Sequence, residues 1–139
     1  MVYALLIKPT VRKSRRGRRI IAELKSLGAI ELEGSSSTQL RAELENLQNS
    51  YPFLVVVACG GDGTVHLAVN SLPNMDIPIA VIPLGTGNDF ARFIGIKNPI
   101  EGIGTLKNGA ARNLDFAFIT LANNETRKYV GVASCGFDA

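Results

Sequence analysis

The sequence lacks the features that place a chain in a membrane or in an oxidising compartment. Its 139 residues include no apolar run near the length of about 20 residues that a membrane-spanning helix needs. The first apolar run, residues 2–7, is too short and wrongly flanked for a signal peptide. The two cysteines, Cys59 and Cys135, lack the CxxC or histidine spacing of a zinc or redox site. We therefore expect one soluble cytoplasmic domain in which both cysteines are reduced packing residues.

Acidic residues are missing from one segment, although the net charge of the chain is only +3. Residues 8–19 contain seven of the 15 bases and no acid, which leaves eight bases against 12 acids elsewhere. We expect a basic loop that contacts nucleotide phosphates, an anionic lipid surface or nucleic acid, although a merely solvated loop explains the charge equally well. The segment has no interleaved aromatics, which weighs against recognition of single-stranded nucleic acid.

The stretch around CGGDGT, residues 59–64, organises the chain. The apolar run 53–58 predicts a buried strand, and the apolar spacing of residues 65–72 predicts a helix. Gly60, Gly61 and Gly63 permit a sharp turn and leave room for a ligand. Thr64 is a candidate cap for the helix. Since free amides at a helix start attract phosphate, the turn is a candidate phosphate site.

Asp62 changes the ligand that this turn is expected to bind. A carboxylate and a phosphate oxygen about 4 Å apart repel each other by roughly 4 kcal/mol at an effective dielectric constant of about 20. An intervening cation would remove that repulsion. We therefore expect a metal nucleotide here.

A second strand, turn and helix follow the first. Residues 79–82 are apolar, PLGTGND spans residues 83–89, and Phe90 opens a helical pattern. In a parallel sheet both turns would open on the same edge and face one cleft. The chain has no GxxxxGKS/T, and Phe90 occupies the last glycine position of a GxGxxG pattern, so neither a P-loop nor a Rossmann site is favoured. Glycine turns that only shape tight connections are the alternative to nucleotide binding.

The remaining periodicity predicts a three-layer α/β fold, with a mostly parallel sheet flanked by helices and a C-terminal β-hairpin. Ser36 and Gln39 fit a capping box for one of these helices. The predicted strands are residues 2–7, 29–32, 53–59 and 79–82, with hairpin strands at 114–121 and 129–134. The predicted helices are residues 18–27, 40–48, 65–72 and 100–107, besides the one that Phe90 opens.

Three stretches of the chain resemble the diacylglycerol kinase catalytic-domain family, which includes bacterial lipid kinases and sphingosine and ceramide kinases. The stretches are GGDGT (60–64), IPLGTGNDFAR (82–92) and Leu114-Asp115. The paired motifs are highly specific, and the resemblance covers essentially the whole chain. It implies an ATP-dependent lipid kinase that transfers the ATP γ-phosphate to a lipid hydroxyl, with ATP and Mg²⁺ as cofactors. An NAD kinase-like phosphotransferase and a non-catalytic nucleotide-binding module are the alternatives.

The resemblance also implies the roles of individual residues. Three acids, Asp62, Asp89 and Asp115, match family acids associated with magnesium and its bound water. Asp89 could instead cap its helix, Asp115 could be an ordinary strand-end acid, and Thr38 could be part of a helix cap. His66, the only histidine, matches no catalytic position. The residues implied to surround the nucleotide are Thr38, Gly60, Gly61, Asp62, Gly63, Thr64, Gly85, Thr86, Gly87 and Asn88.

The chain departs from the family pattern at two places. Lys8-Pro9 stands where the family has Asn-Pro, so a charged donor could face phosphate from the first loop. The family also continues into a β-rich second domain that supplies lipid contacts and the general-base carboxylate. We therefore expect residues 1–139 to be the ATP-binding domain, residues 136–139 to begin the second domain, and the base to lie beyond Ala139.

The same expectation extends to the partners of the chain. The expected partners are a nucleotide and a lipid substrate, reached by peripheral contact with a membrane, and no nucleic acid. The face that the second domain would cover is apolar, so self-association through that face is also expected.

Overall fold

The computed structural model describes residues 1–131. Four parallel strands form the central sheet in the order β2-β1-β3-β4, and a separate antiparallel pair, β5 and β6, forms a hairpin. This arrangement confirms the α/β class and the C-terminal hairpin. The strands are β1 Val2–Ile7, β2 Ile30–Glu31, β3 Leu54–Gly60, β4 Ile79–Pro83, β5 Ala117–Thr120 and β6 Thr126–Tyr129.

Helices cover both faces of the sheet. They are α1 Pro9–Lys13, α2 Arg15–Ser26, α3 Ser37–Ser50, α4 Asp62–Ser71, α5 Asp89–Phe93 and α6 Pro99–Asn108. Ser36 caps α3 by accepting a hydrogen bond from the Gln39 amide, as the capping pattern predicted. Over residues 1–131, no helix is both long enough and apolar enough to cross a bilayer.

The alternation of β3 separates two apolar cores. Val56 and Ala58 point to the face covered by α3 and α4, whereas Val57 and Cys59 point to the face covered by α2 and α6. All four side chains are fully buried. A strand that is apolar on both faces is the central strand of a three-layer domain, so β3 fixes the plane of the sheet.

The order of the strands creates a crevice. The connection from β1 leads outward to β2, while the connection from β3 leads in the opposite direction to β4. β1 and β3 are hydrogen-bonded neighbours from Val2↔Leu54 to Ile7↔Cys59. In open α/β sheets ligands bind where the strand order reverses in this way, at the carboxyl ends of the strands.

The expected basic loop is helical, so that prediction is wrong. Pro9 occupies the first turn of α1, Val11 is buried, and Ser14 accepts a hydrogen bond from the Gly17 amide at 2.9 Å to cap α2. Gly17 is buried where α1 and α2 meet, since an added Cβ would lie 2.0 Å from the Val11 carbonyl oxygen. Arginine and lysine are good helix formers, so positive charge alone does not predict a loop.

Two other boundaries differ from the prediction. The N-cap of α4 is Gly61 and the helix begins at Asp62, so Thr64 lies inside the first turn and does not cap it. β6 ends at Tyr129, where the predicted strand began, because the turn at Asn124 (φ 63°) is tight and pairs Thr120 with Thr126 directly across it. Cys135, residues 132–134 of the predicted strand and residues 136–139 lie outside the described part of the chain.

Asn70 of α4 attaches the hairpin to the main domain. Its side-chain oxygen accepts a hydrogen bond from the Lys128 amide, and its side-chain nitrogen donates to the Lys128 carbonyl, both at 2.9 Å. A single amide side chain therefore pairs with β6 as a neighbouring strand would. This contact places β6 beside α4.

Candidate functional site

A cleft of about 680 Å³ opens at the carboxyl ends of the four parallel strands. The turns after β3 and β4 form one wall, and the segments after β1 and β2 form the other. Most of the residues implied to surround the nucleotide lie in this cleft. Those lining it are Gly61, Asp62, Gly63, Thr64, Gly85, Thr86 and Gly87.

The two glycine turns lie against each other. A Cβ at Gly85 would be 2.4 Å from the Gly61 Cα and 2.8 Å from the Gly61 nitrogen. The Leu84 amide also donates to the Gly60 carbonyl at 2.8 Å. Side chains at Gly61 or Gly85 would separate the turns, so glycine is required here by close backbone approach.

Asn88 stabilises the second turn from within. Its backbone is left-handed (φ 57°), its side-chain oxygen accepts from the Gly85 amide at 3.0 Å, and its side-chain nitrogen donates to the Gly85 carbonyl at 2.8 Å. Both polar atoms of the side chain therefore hold the turn. Asn88 does not line the cleft, although its motif does.

Asp62 joins the first motif to the second. One carboxylate oxygen accepts from the Phe90 amide at 2.8 Å and the other from the Asp89 amide at 3.1 Å. Asn88, the N-cap of α5, makes no side-chain capping bond, so Asp62 supplies the acceptors for the start of α5. Partial burial acts to raise the pKa of the Asp62 carboxyl, but the amide hydrogen bonds outweigh it and hold the pKa below its usual value.

A second cleft, of about 410 Å³, lies on the other side of Asp62. Asp62, Asp89 and Asp115 all line it, so the structure brings the three predicted metal-associated acids to one place. Asp89 pairs with Arg92. Within residues 1–131, no three His, Cys, Asp or Glu side chains are grouped closely enough to hold a metal ion by themselves.

This arrangement still fits magnesium bound together with a nucleotide. Mg²⁺ usually takes one or two protein carboxylates, with substrate phosphates and water completing its shell. Asp62 lines both clefts, and each of its oxygens has a lone pair beyond the one that accepts an amide. The carboxylate of Asp62 is therefore the best-placed protein ligand.

His66 lies in the second cleft, one turn along α4 from Asp62. Its ring packs on Tyr129 with centroids 4.3 Å apart. Burial lowers the pKa of His66, and the nearby Asp62 carboxylate opposes that effect only in part. The side chain is half-buried and lines the second cleft with the three acids.

Other predicted residues lie apart from the cleft. Thr38 is an exposed residue in the first turn of α3 and does not line it. Gly60 is the last residue of β3 and does not line the cleft. Cys59 is fully buried, and burial raises the pKa of its thiol to about 12, which confirms its packing role.

Sequence reasoning suggested Lys8 and the basic segment that contains Arg12, but it missed residues 32–35 of the opposite wall. Lys8 and Arg12, which follow β1, line the cleft, and so do residues 32–35 after β2. Glu31 pairs with both Arg12 and Lys25. The short strand predicted at residues 29–32 is present as β2, but after it the sequence singled out only Thr38, which does not line the cleft.

Comparison with known proteins adds an independent result. The family model described as "Diacylglycerol kinase catalytic domain" matches residues 10–119. A diacylglycerol kinase of Mycobacterium tuberculosis is 38% identical over 86 residues, which are 60% of this chain and 28% of that protein. A diacylglycerol kinase of Bacillus subtilis is 43% identical over 67 residues, which are 45% of this chain and 22% of that protein. A probable lipid kinase YegS-like protein of Shewanella frigidimarina is 42% identical over 90 residues, which are 60% of this chain and 28% of that protein. The matched segments thus span about a quarter of the length of these relatives.

Proposed function

Because the chain belongs to the diacylglycerol kinase catalytic domain family, we propose that it binds Mg²⁺-ATP in the cleft at the carboxyl ends of the strands and presents the γ-phosphate to a lipid hydroxyl. The contact between the turns at Gly61 and Gly85 is the observation that carries this proposal. It brings the start of α4 and the second glycine turn to one wall of a nucleotide-sized cleft.

The residues of this wall suit the phosphates of a nucleotide. The Thr64 and Val65 amides donate to the carbonyl of Gly61, the N-cap of α4, but the Gly63 amide precedes any partner within the helix. It lies at the positive end of the helix dipole, which favours phosphate oxygens. Lys8 adds positive charge from the opposite wall, where Arg12 also lies but is paired with Glu31. A bound Mg²⁺ would neutralise charge that develops on the transferred phosphoryl group, and Asp62, with Asp89 and Asp115 nearby, would hold it.

The lipid would approach from the second cleft. Asp62 is shared by the two clefts, so a hydroxyl there would lie close to the nucleotide phosphates. Apolar residues such as Phe90, Phe93 and Leu114 line this cleft together with the acids, which suits a lipid with a polar head. The proposal includes a peripheral, cytoplasmic association with the membrane that contains the lipid.

Calorimetry of residues 1–139 with ADP and with a non-hydrolysable ATP analogue, each with and without Mg²⁺, tests the proposal. We expect binding that Mg²⁺ strengthens. Gly85→Asp, which adds a side chain and a negative charge between the two turns, should abolish it. A folded wild-type protein that gives no heat and no spectral shift at millimolar nucleotide would refute the proposal.

A further inference from the structure

Five cations of α1 and α2 form an exposed surface next to the cleft. We call this set, Lys13, Arg15, Arg16, Arg18 and Arg19, the basic surface; all five residues are exposed. α1 begins two residues after β1 ends, so the basic surface lies at the same edge of the sheet as the cleft. None of its members lines the cleft, so a nucleotide bound there does not account for it.

The charge of this surface is not neutralised by the rest of the described chain. The ion pairs found within residues 1–131 involve other bases, such as Arg12 and Lys25, which share Glu31. Arg18 donates to the Lys13 carbonyl, which adds no negative charge.

The position of these charges is unfavourable for the helix itself. Arg15, Arg16 and Arg18 lie in the first turn of α2, which contains no acid. Cations at the positive end of a helix dipole destabilise the helix. The helix dipole therefore disfavours this cluster, whereas a partner of opposite charge would explain it.

The basic surface also lacks the apolar and aromatic side chains that other kinds of binding require. The apolar residues of α1 and α2, such as Val11, Ile20 and Leu24, are buried, and no large exposed apolar residue falls within residues 9–26. No apolar anchor is therefore available to insert into a bilayer or a protein groove. No aromatic residue lies in residues 8–19 to stack on nucleic acid bases.

We propose that the basic surface docks the domain on an anionic lipid bilayer, by charge alone, with the cleft edge of the sheet beside the membrane. This inference rests on the proposed function, because a lipid substrate requires the site to approach a bilayer. Adsorption by charge alone is reversible and disappears when salt screens it, since the Debye length falls from about 10 Å at 0.1 M salt to about 3 Å at 1 M.

Vesicle co-sedimentation tests the inference without requiring catalysis. The protein is mixed with phosphatidylcholine vesicles, or with vesicles that also contain phosphatidylglycerol, at about 0.1 M and about 1 M salt. We expect binding only to the anionic vesicles at the lower salt concentration. Each base near such a surface contributes about fivefold to binding, so the triple variant Arg15→Gln, Arg16→Gln, Arg19→Gln should bind about 100-fold more weakly.

A matched triple variant removes the same charge from exposed positions outside α1 and α2; it is Lys97→Gln, Arg112→Gln, Arg127→Gln. This variant should retain most of the vesicle binding. Conservative replacement of the same three arginines, Arg15, Arg16 and Arg19, by lysine should also retain it, which guards against loss through misfolding. Equal losses in the two glutamine triples would show that net charge alone acts and would overturn the inference.

Two further outcomes are decisive. Tighter binding of a duplex DNA oligonucleotide than of anionic vesicles at the same salt would overturn the inference in favour of nucleic acid. ADP titration of the same samples separates this inference from the proposed function. Nucleotide binding without vesicle binding refutes only the membrane surface, whereas vesicle binding without nucleotide binding supports it and refutes the proposed nucleotide site.

Discussion

Asp62 is the residue on which the two motifs depend. Its carboxylate accepts hydrogen bonds from amides 27 and 28 positions later in the chain, where no nearby side chain caps α5. The sequence suggested a cation as the reason for an acid in a phosphate turn. The structure adds a second reason, because an acceptor with two oxygens is needed to order the start of α5.

Asp62→Asn should therefore lower both stability and nucleotide affinity. An asparagine side chain can accept one of the two amide bonds but presents its own N–H to the other, which leaves a donor unsatisfied and costs about 1–3 kcal/mol. Thermal melts should show the loss of stability, and calorimetry should show weaker nucleotide binding without Mg²⁺ and a larger loss with it.

Asp89→Asn is the matched control for this change. It removes the pairing with Arg92 but leaves both amide bonds to Asp62 in place, so melting should change little. Unchanged melting of Asp62→Asn would contradict its role at the start of α5. Equal affinity losses with and without Mg²⁺ would contradict its role as a metal ligand.

His66 should make stability depend on pH in the range just below neutrality. Because its pKa is lowered in the folded protein, the unfolded chain, with a histidine pKa of about 6.5, binds the proton first as pH falls. The free energy of unfolding should therefore decrease as pH drops below about 6.5 and level off below the folded pKa.

Urea denaturation of wild type and His66→Gln at a series of pH values would measure this effect. The variant should lose the decrease that begins near pH 6.5, and parallel curves would contradict the prediction. The contribution of Asp62 to stability depends on pH in a separate, more acidic range. Its lowered pKa adds stability above the unfolded value of about 3.9, which is lost as pH falls through the folded pKa.

At the scale of elements, the second glycine turn and the first form one unit. Gly85→Ala should destabilise the domain by about 1–3 kcal/mol, because the new methyl group would overlap the backbone of Gly61. Gly104→Ala in α6 is the control, since nothing lies within 4 Å of an added Cβ there. That change should stabilise the protein by about 0.5–1 kcal/mol. Equal melting temperatures for the two variants would contradict close packing of the turns.

The elements around both motifs could be predicted because the signals are local. Apolar runs define β3 and β4, and glycines follow each of them. The capping of α5 by Asp62 could not be predicted, because capping patterns are recognised over a few neighbouring residues and this cap comes from another helix. The helix predicted at residues 18–27 is confirmed as most of α2, but the helicity of residues 9–17 was missed, since its support is the packing of Val11 against Gly17.

At the scale of the whole molecule, the predicted fold and family are confirmed, while the reaction remains a proposal. The resemblance implies a second domain that carries the general base. Of the acids in the second cleft, Asp62 has a lowered pKa and Asp89 is paired with Arg92, so neither is well suited to accept a proton from a hydroxyl. We expect residues 1–139 alone to bind nucleotide but not to phosphorylate lipid.

Radiolabelled ATP with mixed micelles of diacylglycerol measures this activity, with the Bacillus subtilis diacylglycerol kinase as the positive control. A positioned base commonly contributes about 100-fold or more, so turnover by residues 1–139 should be lower than that of the control by at least this factor. Comparable turnover would mean that the base lies within these residues, and Asp115→Asn would then be the first variant to examine.

The position of Asp62 in the walls of both clefts has a thermodynamic consequence. A ligand in the nucleotide cleft that interacts with the Asp62 carboxylate changes the strength of its hydrogen bonds to the amides of Asp89 and Phe90. These two residues line the second cleft. Any such effect must be reciprocal, because two sites linked through one equilibrium change each other's affinity by the same factor. A lipid analogue that tightens nucleotide binding would therefore itself bind more tightly when nucleotide is present, without any direct contact between the two.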